Sequence, residues 1–314
     1  MSSLLAHLGG LLLGWGVGSN DSANMFGTAV GARMVRLRTA VAIIAVCVIL
    51  GAALQGRAGI DTVRQLVPAD QRLILAICTL AAAVTMIAMC LLGMPVSSSQ
   101  LMIGAVIGLG ATRGSVDWYL FGKVLVCWLL NPLGALLVAA GFYVSLHRLL
   151  RWWRPSVFVL DPLLRLGLII GGAYGAYALG ANGVGVVCAA FVGDAPGLLS
   201  PGWGAFVGGV SIAVGALTYS EPVMLTVGRG VVPLDAFAAF IVVLSLAVTV
   251  HLFAVLGVPV STTQTVVGAL LGIGVVKGLH IVNLRTLTRV VIWWVASPVI
   301  AAAVAVAVYF ALAR

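Results

Sequence analysis

Two stretches of this sequence, 73–112 and 236–276, contain no aspartate, glutamate, lysine or arginine from end to end. Each exceeds the roughly 20 residues that an α-helix needs to cross the hydrocarbon core of a bilayer. Over the whole chain 62% of the residues are hydrophobic and 8% are charged, whereas a soluble domain carries roughly 25% charged residues. Because so apolar a chain cannot cover its surface with polar groups, the sequence predicts a helical protein that crosses the membrane several times. A β-barrel would instead show short alternating segments.

One polar phrase occurs twice in these apolar surroundings, as GMPVSSSQ from Gly93 and as GVPVSTTQ from Gly257. Two further segments recur in the same order. GSNDSANMFG from Gly18 corresponds to GANGVGVVCA from Gly180, and KVLVCWLLNP in the first half corresponds to RVVIWWVASP near the end of the chain. Three correspondences in one order and at nearly constant spacing indicate an internal duplication.

The duplication predicts two repeats, 1–146 and 163–314, joined by a basic connector at 147–162. Some apolar runs beside the polar motifs are too short to span a bilayer, which is typical of the half-helices of transporters. An odd number of passes in each repeat would invert the second repeat relative to the first. We therefore predict an all-α polytopic membrane protein of two inverted repeats, with broken helices, re-entrant helical hairpins and about ten to twelve membrane segments.

The formal net charge is +9, and the basic residues are scattered or lie in connections between apolar runs. The richest cluster comprises His147, Arg148, Arg151, Arg154 and Arg165. By the positive-inside rule this cluster favours a cytoplasmic connector. We interpret the charge as membrane topology and not as nucleic-acid binding, and we predict a multi-pass protein of the cell (plasma) membrane surrounded by the lipid bilayer.

The first polar motif, GSNDSAN, places Asp21 in apolar sequence, with no other acidic residue before Asp61. A carboxylate at bilayer depth costs several kcal/mol unless it is paired or binds an ion. One interpretation is a helix cap or an interfacial residue, because Asn and Asp favour N-cap positions. The other is a broken helix whose oxygen atoms bind a small hard cation such as sodium. The candidate coupling-ion residues are Asp21, Ser22 and Asn24, with sodium at Asp21 and Asn24.

The second motif is the PVS phrase, PVSSSQ and PVSTTQ, in which a proline precedes three hydroxyl residues and a glutamine. Proline suits the first turn of a helix, because its missing N–H is not needed there. A helix N-terminus with free N–H groups and hydroxyl donors is a binding site for anions. N-capping or helix–helix hydrogen bonding is the alternative, but two copies before glycine-rich helices favour an anion site. The candidate substrate-binding residues are Ser97, Ser98, Ser99, Gln100, Ser261, Thr262, Thr263 and Gln264.

Over nearly its whole length the chain resembles the PiT family of inorganic phosphate transporters, including its sulfate-permease branch. The resemblance rests on GSNDSANMFGTAVG in the first half, GAN in the second, and the two PVS phrases. It implies two inverted repeats and the import of phosphate with sodium or protons, while some members carry sulfate. It also implies that Asn20, Asp21, Asn24 and Asn182 form the family's repeated asparagine–aspartate signature, which adds Asn20 and Asn182 to the substrate-binding candidates.

The second copy of that signature departs from the family pattern. Gly183 stands where the aspartate is expected, and Val186 stands where the first copy has Asn24. Half of the cation ligands implied by the resemblance are therefore missing. This departure predicts that one ion site is lost, with a reduced stoichiometry or with proton coupling through Asp21.

Both PVS phrases end in glutamine, at Gln100 and Gln264, where the family usually has histidine. Near neutral pH phosphate carries at least one proton and benefits from an acceptor, whereas sulfate carries none and needs only donors. Hydroxyl, N–H and amide NH₂ groups all donate. A site with fewer carboxylates and no histidine therefore favours sulfate over phosphate by a small margin, ahead of thiosulfate, molybdate or arsenate.

We predict a secondary active transporter that imports a tetrahedral inorganic oxyanion, sulfate before phosphate, by symport with sodium or protons and by alternating access. A passive anion channel is a second class, but the single Asp21 and the broken-helix pattern favour coupled carriage. An enzyme is not expected, because Asp, Glu, His and Cys do not cluster and no GxxxxGKS/T motif is present. No cofactor is expected beyond the coupling ion, and the sequence leaves room for a homodimer.

Overall fold

The computed structural model describes residues 2–66, 72–114, 116–194, 196–230, 234–278 and 283–312, and these residues form thirteen α-helices. The helices are α1 (Ser2–Asn20), α2 (Ser22–Gly31), α3 (Leu37–Gln55), α4 (Arg57–Gln65), α5 (Arg72–Leu91), α6 (Ser98–Arg113), α7 (Trp118–Trp153), α8 (Val157–Cys188), α9 (Pro201–Tyr219), α10 (Glu221–Gly230), α11 (Ala236–Val255), α12 (Thr262–Lys277) and α13 (Leu284–Leu312).

Seven helices in the described ranges are long and apolar enough to cross a membrane, namely α3, α5, α7, α8, α9, α11 and α13. The predicted all-helical protein with several membrane spans is confirmed, although seven spans are fewer than the expected count. The difference arises from short helices such as α6 and α12, which have 16 residues each. At 1.5 Å per residue they reach about 24 Å, less than the roughly 30 Å thickness of the hydrocarbon core.

Helix packing follows the same pattern in the two halves of the chain. In the first half α1 packs against α5 and α9, and in the second half α8 packs against α11 and α3. Each helix that follows a PVS phrase packs against a helix of the other half: α6 packs against α13, and α12 packs against α7. The two halves are therefore interlocked and are not separate domains.

Glycines allow the helices after the PVS phrases to approach their neighbours closely. A methyl group at Gly104 of α6 would lie 2.6 Å from the carbonyl oxygen of Pro298 in α13. A methyl group at Gly268 of α12 would lie 2.2 Å from the carbonyl oxygen of Pro132 in α7. Since both distances are too short for a side chain, these glycines serve helix packing, as is common in membrane bundles.

The helices are less broken at the asparagine motifs than the sequence predicts. Asp21 separates α1 from α2, yet its backbone is helical (φ −75°, ψ −26°) and its N–H bonds to the carbonyl oxygen of Val17 at 2.8 Å. In the second half α8 continues through Asn182 to Cys188 without interruption. The side chains of Asn20 and Asn182 bond to distant segments, and the backbone around them stays helical.

The true interruptions precede the PVS helices, at 92–97 between α5 and α6 and at 256–261 between α11 and α12. Gly93 (φ 64°) and Gly257 (φ 72°) adopt the left-handed conformation that ends many helices. The following N–H groups, of Met94 and Val258, bond to carbonyl oxygens five residues back at 3.0 and 3.1 Å. Prolines come next in both turns and cannot continue the preceding helix.

The segment 147–162, predicted as a connector, is helical except at 154–156. Helix α7 runs on to Trp153, where Arg154 takes a left-handed conformation (φ 50°) and Pro155 prevents continuation. Trp152 is 82% exposed and Phe158 is 92% exposed. Apart from Arg154, the basic and aromatic residues of this region therefore lie on the ends of two long helices.

Candidate functional site

The first hydroxyl of each PVS phrase caps the helix that follows it. Ser97 Oγ accepts a hydrogen bond from the backbone N–H of Gln100 at 3.3 Å, and Ser261 Oγ accepts one from the N–H of Gln264 at 3.1 Å. The N-capping interpretation is thus correct for these two serines. Capping uses one hydroxyl in each phrase, so the other two hydroxyls remain for other contacts.

The third hydroxyl of each phrase bonds to the opposite turn. Ser99 Oγ donates to the carbonyl oxygen of Val260 at 3.1 Å, and Thr263 Oγ1 donates to the carbonyl oxygen of Val96 at 3.1 Å. The two hydrogen bonds are reciprocal and join the two halves of the chain. They bring the N-termini of α6 and α12 side by side in the centre of the bundle.

The two signature asparagines hold these turns in place. Asn20 accepts from the N–H of Val96 at 3.1 Å and donates to the carbonyl oxygen of Met94 at 2.9 Å. Asn182 accepts from the N–H of Val260 at 3.0 Å and donates to its carbonyl oxygen at 2.9 Å. Both ends of each amide are engaged by backbone, so Asn20 and Asn182 position the PVS turns.

The predicted coupling-ion residues lie against both PVS helices. Asp21 is 2% exposed, and its Oδ2 accepts a hydrogen bond from Ser98 Oγ at 2.5 Å, a length typical of a hydroxyl bound to a carboxylate. The side-chain amide of Asn24 donates to Thr262 Oγ1 at 3.0 Å and to Thr263 Oγ1 at 3.2 Å. One motif of the first half thus contacts the second hydroxyl of each PVS phrase.

Several buried oxygen atoms at this junction have no hydrogen-bond partner. They are Asp21 Oδ1, Ser22 Oγ, Asn24 Oδ1, Gln100 Oε1 and Gln264 Oε1. A buried polar atom left unpaired costs about 1–3 kcal/mol, more if it is charged. Because buried polar atoms are nearly always paired, these unpaired oxygens on the PVS phrases and the Asp21 motif require an explanation. All thirteen predicted site residues are buried. The contacts above join all of them except Ser22, which follows Asp21 directly in the chain.

The second half offers no equivalent of this oxygen cluster on its asparagine motif. Gly183, Val184 and Val186 are all buried there. A methyl group at Gly183 would contact Val17 at 3.3 Å and Ile212 at 3.9 Å, both apolar side chains. The site is therefore asymmetric, with a carboxylate on one side only, as the sequence departures predict. Among the described residues, no group of three or more His, Cys, Asp or Glu side chains forms a metal site.

The sequence interpretation missed two residues of α7 that support the second PVS turn. Asn131 Nδ2 donates to the carbonyl oxygen of Ser261 at 2.9 Å, and its Oδ1 accepts from Thr265 Oγ1 at 2.8 Å. Trp128 Nε1 donates to the carbonyl oxygen of Pro259 at 3.3 Å. The signal was present in the repeated WLLNP and WVASP segments, which served only as markers of the duplication.

Helices that cross the membrane around a buried, charged and partly unpaired polar cluster define a membrane transport protein. The sequence profile of the phosphate transporter family matches residues 17–305. The chain therefore belongs to that family, which confirms the predicted PiT resemblance and the prediction of a transporter in place of an enzyme. Membership implies that the substrate is an inorganic anion.

Similar proteins extend over most of the chain. The "Putative phosphate permease MJ0630" of Methanocaldococcus jannaschii is 30% identical over 285 residues, 91% of this chain and 89% of the relative. The "Sulfate permease CysP" of Bacillus subtilis is 27% identical over 302 residues, 94% of this chain and 84% of the relative. A solved structure titled "The sodium-dependent phosphate transporter" covers 99% of this chain and 98% of its own, with a TM-score of 0.84 at 24% identity. These matches support the fold, and the names of the similar proteins mention phosphate more often than sulfate.

Proposed function

We propose that this chain imports inorganic phosphate together with sodium, as a secondary transporter that works by alternating access. The observation that carries the proposal is the group of buried, unpaired oxygens where the N-termini of α6 and α12 meet the Asp21 motif. We therefore propose phosphate as the substrate in place of sulfate, which the sequence favoured because both PVS phrases end in glutamine.

The unpaired glutamine oxygens support a protonated anion. Gln100 Oε1 and Gln264 Oε1 are buried acceptors without donors. Near neutral pH phosphate carries a P–O–H group that such an oxygen accepts, whereas sulfate has no proton to offer. The remaining phosphate oxygens would face the first turns of α6 and α12, where backbone N–H groups lack intrahelical partners and the helix dipoles are positive.

The cation site is proposed at Asp21, Ser22 and Asn24. Each supplies a buried oxygen without a partner, which is the ligand type that hard cations prefer. A phosphate dianion would be costly to bury alone, so a cation beside Asp21 offsets its charge. Because Gly183 and Val186 supply no side-chain oxygen in the second half, we propose one cation site of this kind.

The alternating movement is proposed to follow the duplication. The exchanged packing of α6 on α13 and of α12 on α7 supports two inverted repeats, 1–146 and 163–314, with the short helices α6 and α12 as their re-entrant segments. The bonds of Ser99 and Thr263 to the opposite turns join the repeats at the site. Rocking one repeat against the other would rearrange these two bonds first. The basic end of the bundle at 147–162 would face the cytoplasm of a cell whose plasma membrane holds the protein.

Competition uptake tests the substrate. We expect labelled phosphate to enter proteoliposomes along an inward sodium gradient, to be displaced by unlabelled phosphate, and to be little affected by a large excess of sulfate. Equal displacement by sulfate would reject the preference for phosphate. Flux that rises linearly with anion concentration and ignores sodium and pH would reject symport and favour a passive channel.

Sulfate remains the second candidate substrate for one specific reason. The PVS phrases lack the histidine usual in the family, and the amide NH₂ groups of Gln100 and Gln264 are donors that suit an unprotonated anion. The match to the sulfate permease also extends over 84% of the length of that relative. Saturable uptake of labelled sulfate that phosphate does not displace would establish this alternative.

Gln264→Ala tests the proposed anion site. Removal of the side chain deletes one acceptor, so we expect the KM for phosphate to rise about tenfold, the equivalent of one hydrogen bond of about 1.4 kcal/mol. Cys188→Ala is the control, because Cys188 is also buried but bonds to the carbonyl oxygen of Gly204, away from the PVS turns. An equal rise of KM in both variants would refute the assignment.

A further inference from the structure

Helix α2 carries a third buried oxygen in line with two of the proposed cation ligands. Asp21, Asn24 and Thr28 follow one another at spacings of three and four residues, which places them on one face of the helix. Thr28 is 2% exposed, and its Oγ1 has no hydrogen-bond partner. The unpaired oxygens of these three residues thus follow one another along this face, in a line that begins at the proposed cation site.

Thr28 differs from other buried threonines in helices of this protein. Thr79 and Thr85 of α5 are equally buried, and their hydroxyls donate to the carbonyl oxygens four residues earlier at 2.8 and 2.9 Å. That bond is the usual way for a helical threonine to satisfy its hydroxyl. Thr28 does not make it, so its oxygen stays free to accept a ligand. A further unpaired hydroxyl, that of Thr249, lies on α11, which packs against α2.

The line of oxygens leads from the buried site toward one end of the bundle. A methyl group at Gly175 of α8 would contact Met25 of α2, and one at Gly172 would contact the ring of Phe26. Helix α2 therefore runs antiparallel to α8, from the level of the site toward the start of α8. Its last residue, Gly31, is partly exposed.

The end of the bundle that α2 approaches is basic. Arg33 and Arg36 follow α2 and are exposed, and the start of α8 carries the exposed Arg165 together with the exposed Asp161. Positive charge at a pore mouth lowers the local concentration of cations. Positive charge at this end therefore slows the capture of cations from that side.

We propose that the coupling cation leaves its site along the Asp21–Asn24–Thr28 face of α2 and emerges at the basic end of the bundle. This proposal rests on the proposed sodium-coupled function. Thr28 acts as a positioning residue on the exit path: its hydroxyl replaces water around the ion one helical turn beyond Asn24. Phosphate binding at the PVS turns does not involve it.

Thr28→Val tests the path, because valine keeps the shape of threonine and removes the oxygen. We expect sodium-driven phosphate uptake to fall about tenfold, the kinetic equivalent of one lost hydrogen-bond-sized interaction, while equilibrium ²²Na⁺ binding to purified protein stays within about twofold. Thr28→Ser restores the hydroxyl and is expected to restore uptake. Thr85→Val is the matched control, since it removes a buried hydroxyl that is already satisfied within α5.

The outcomes separate this path from the site itself. Normal uptake by Thr28→Val, or equal loss in Thr28→Ser, would overturn the path. If Thr28→Val loses sodium affinity tenfold together with uptake, Thr28 is a ligand of the cation site itself. That result would also overturn the proposed path. Wild-type uptake that ignores a sodium gradient would instead refute the proposed coupling, and the path with it.

Discussion

Asp21→Asn is expected to abolish sodium-driven phosphate uptake, with a loss of at least about 100-fold. Breaking a buried charge pair by removing one partner costs about 3–5 kcal/mol, and every 1.4 kcal/mol corresponds to a factor of ten. Asparagine keeps the size of the side chain and an oxygen that can accept from Ser98. The variant therefore removes the charge that binds the cation and leaves the packing of α1, α2 and α6 intact.

The measurement is initial uptake of labelled phosphate into proteoliposomes with and without an inward sodium gradient. Asp161→Asn is the matched control, because it makes the same chemical change on an exposed carboxylate near the start of α8. Size-exclusion chromatography of both variants checks that each is folded. Full sodium dependence in a folded Asp21→Asn protein would show that the cation binds elsewhere.

The candidate site residues stand out in the sequence because their chemistry conflicts with their surroundings. Asp21 stands out because a carboxylate is costly in an apolar segment. The PVS phrases stand out because three hydroxyl residues after a proline are unnecessary for a simple membrane span. Both signals come from composition over a few residues, and both sets lie at one junction in the structure.

The individual role of each residue within the candidate site could not be predicted in the same way. Asn20 and Asn182 were expected to bind substrate, yet their amides bond to the backbone of the PVS turns. Ser97 and Ser261 were expected to do so as well, yet their hydroxyls cap α6 and α12. The partner of a polar side chain depends on which distant segment packs beside it, and that information is absent from a local pattern.

The fold was predicted at the level of class and less well in its interruptions. The sequence indicated breaks at Asn20 and Asn182, because the apolar runs beside them are too short to span a bilayer. The interruptions at Gly93 and Gly257 agree with the expectation that each PVS proline begins a new helix, and a left-handed glycine shortly before that proline ends the preceding helix. Backbone chemistry thus overrode side-chain polarity in deciding where these helices stop.

The contact between α3 and α8 fixes the position of Asn182 and gives the second prediction with a large effect. Gly180 lies two residues before Asn182, and a methyl group there would be 2.1 Å from the carbonyl oxygen of Val48 and 2.9 Å from the backbone nitrogen of Ala52. Backbone atoms cannot rotate out of the way as a side chain does. The two helices must separate by about 1 Å to restore van der Waals contact.

Gly180→Ala is therefore expected to lower the midpoint of thermal unfolding and to reduce phosphate uptake about 100-fold, since a displacement of about 1 Å at a site can cost that much. The displacement would carry Asn182 away from Val260 and shift the second PVS turn. Gly141→Ala in α7 is the control: a methyl group there meets no atom within 4 Å, and alanine favours the helix. Phosphate uptake and thermal unfolding are measured on both variants. If Gly180→Ala behaves like Gly141→Ala, the account is wrong, because the site then does not depend on the close approach of α3 and α8.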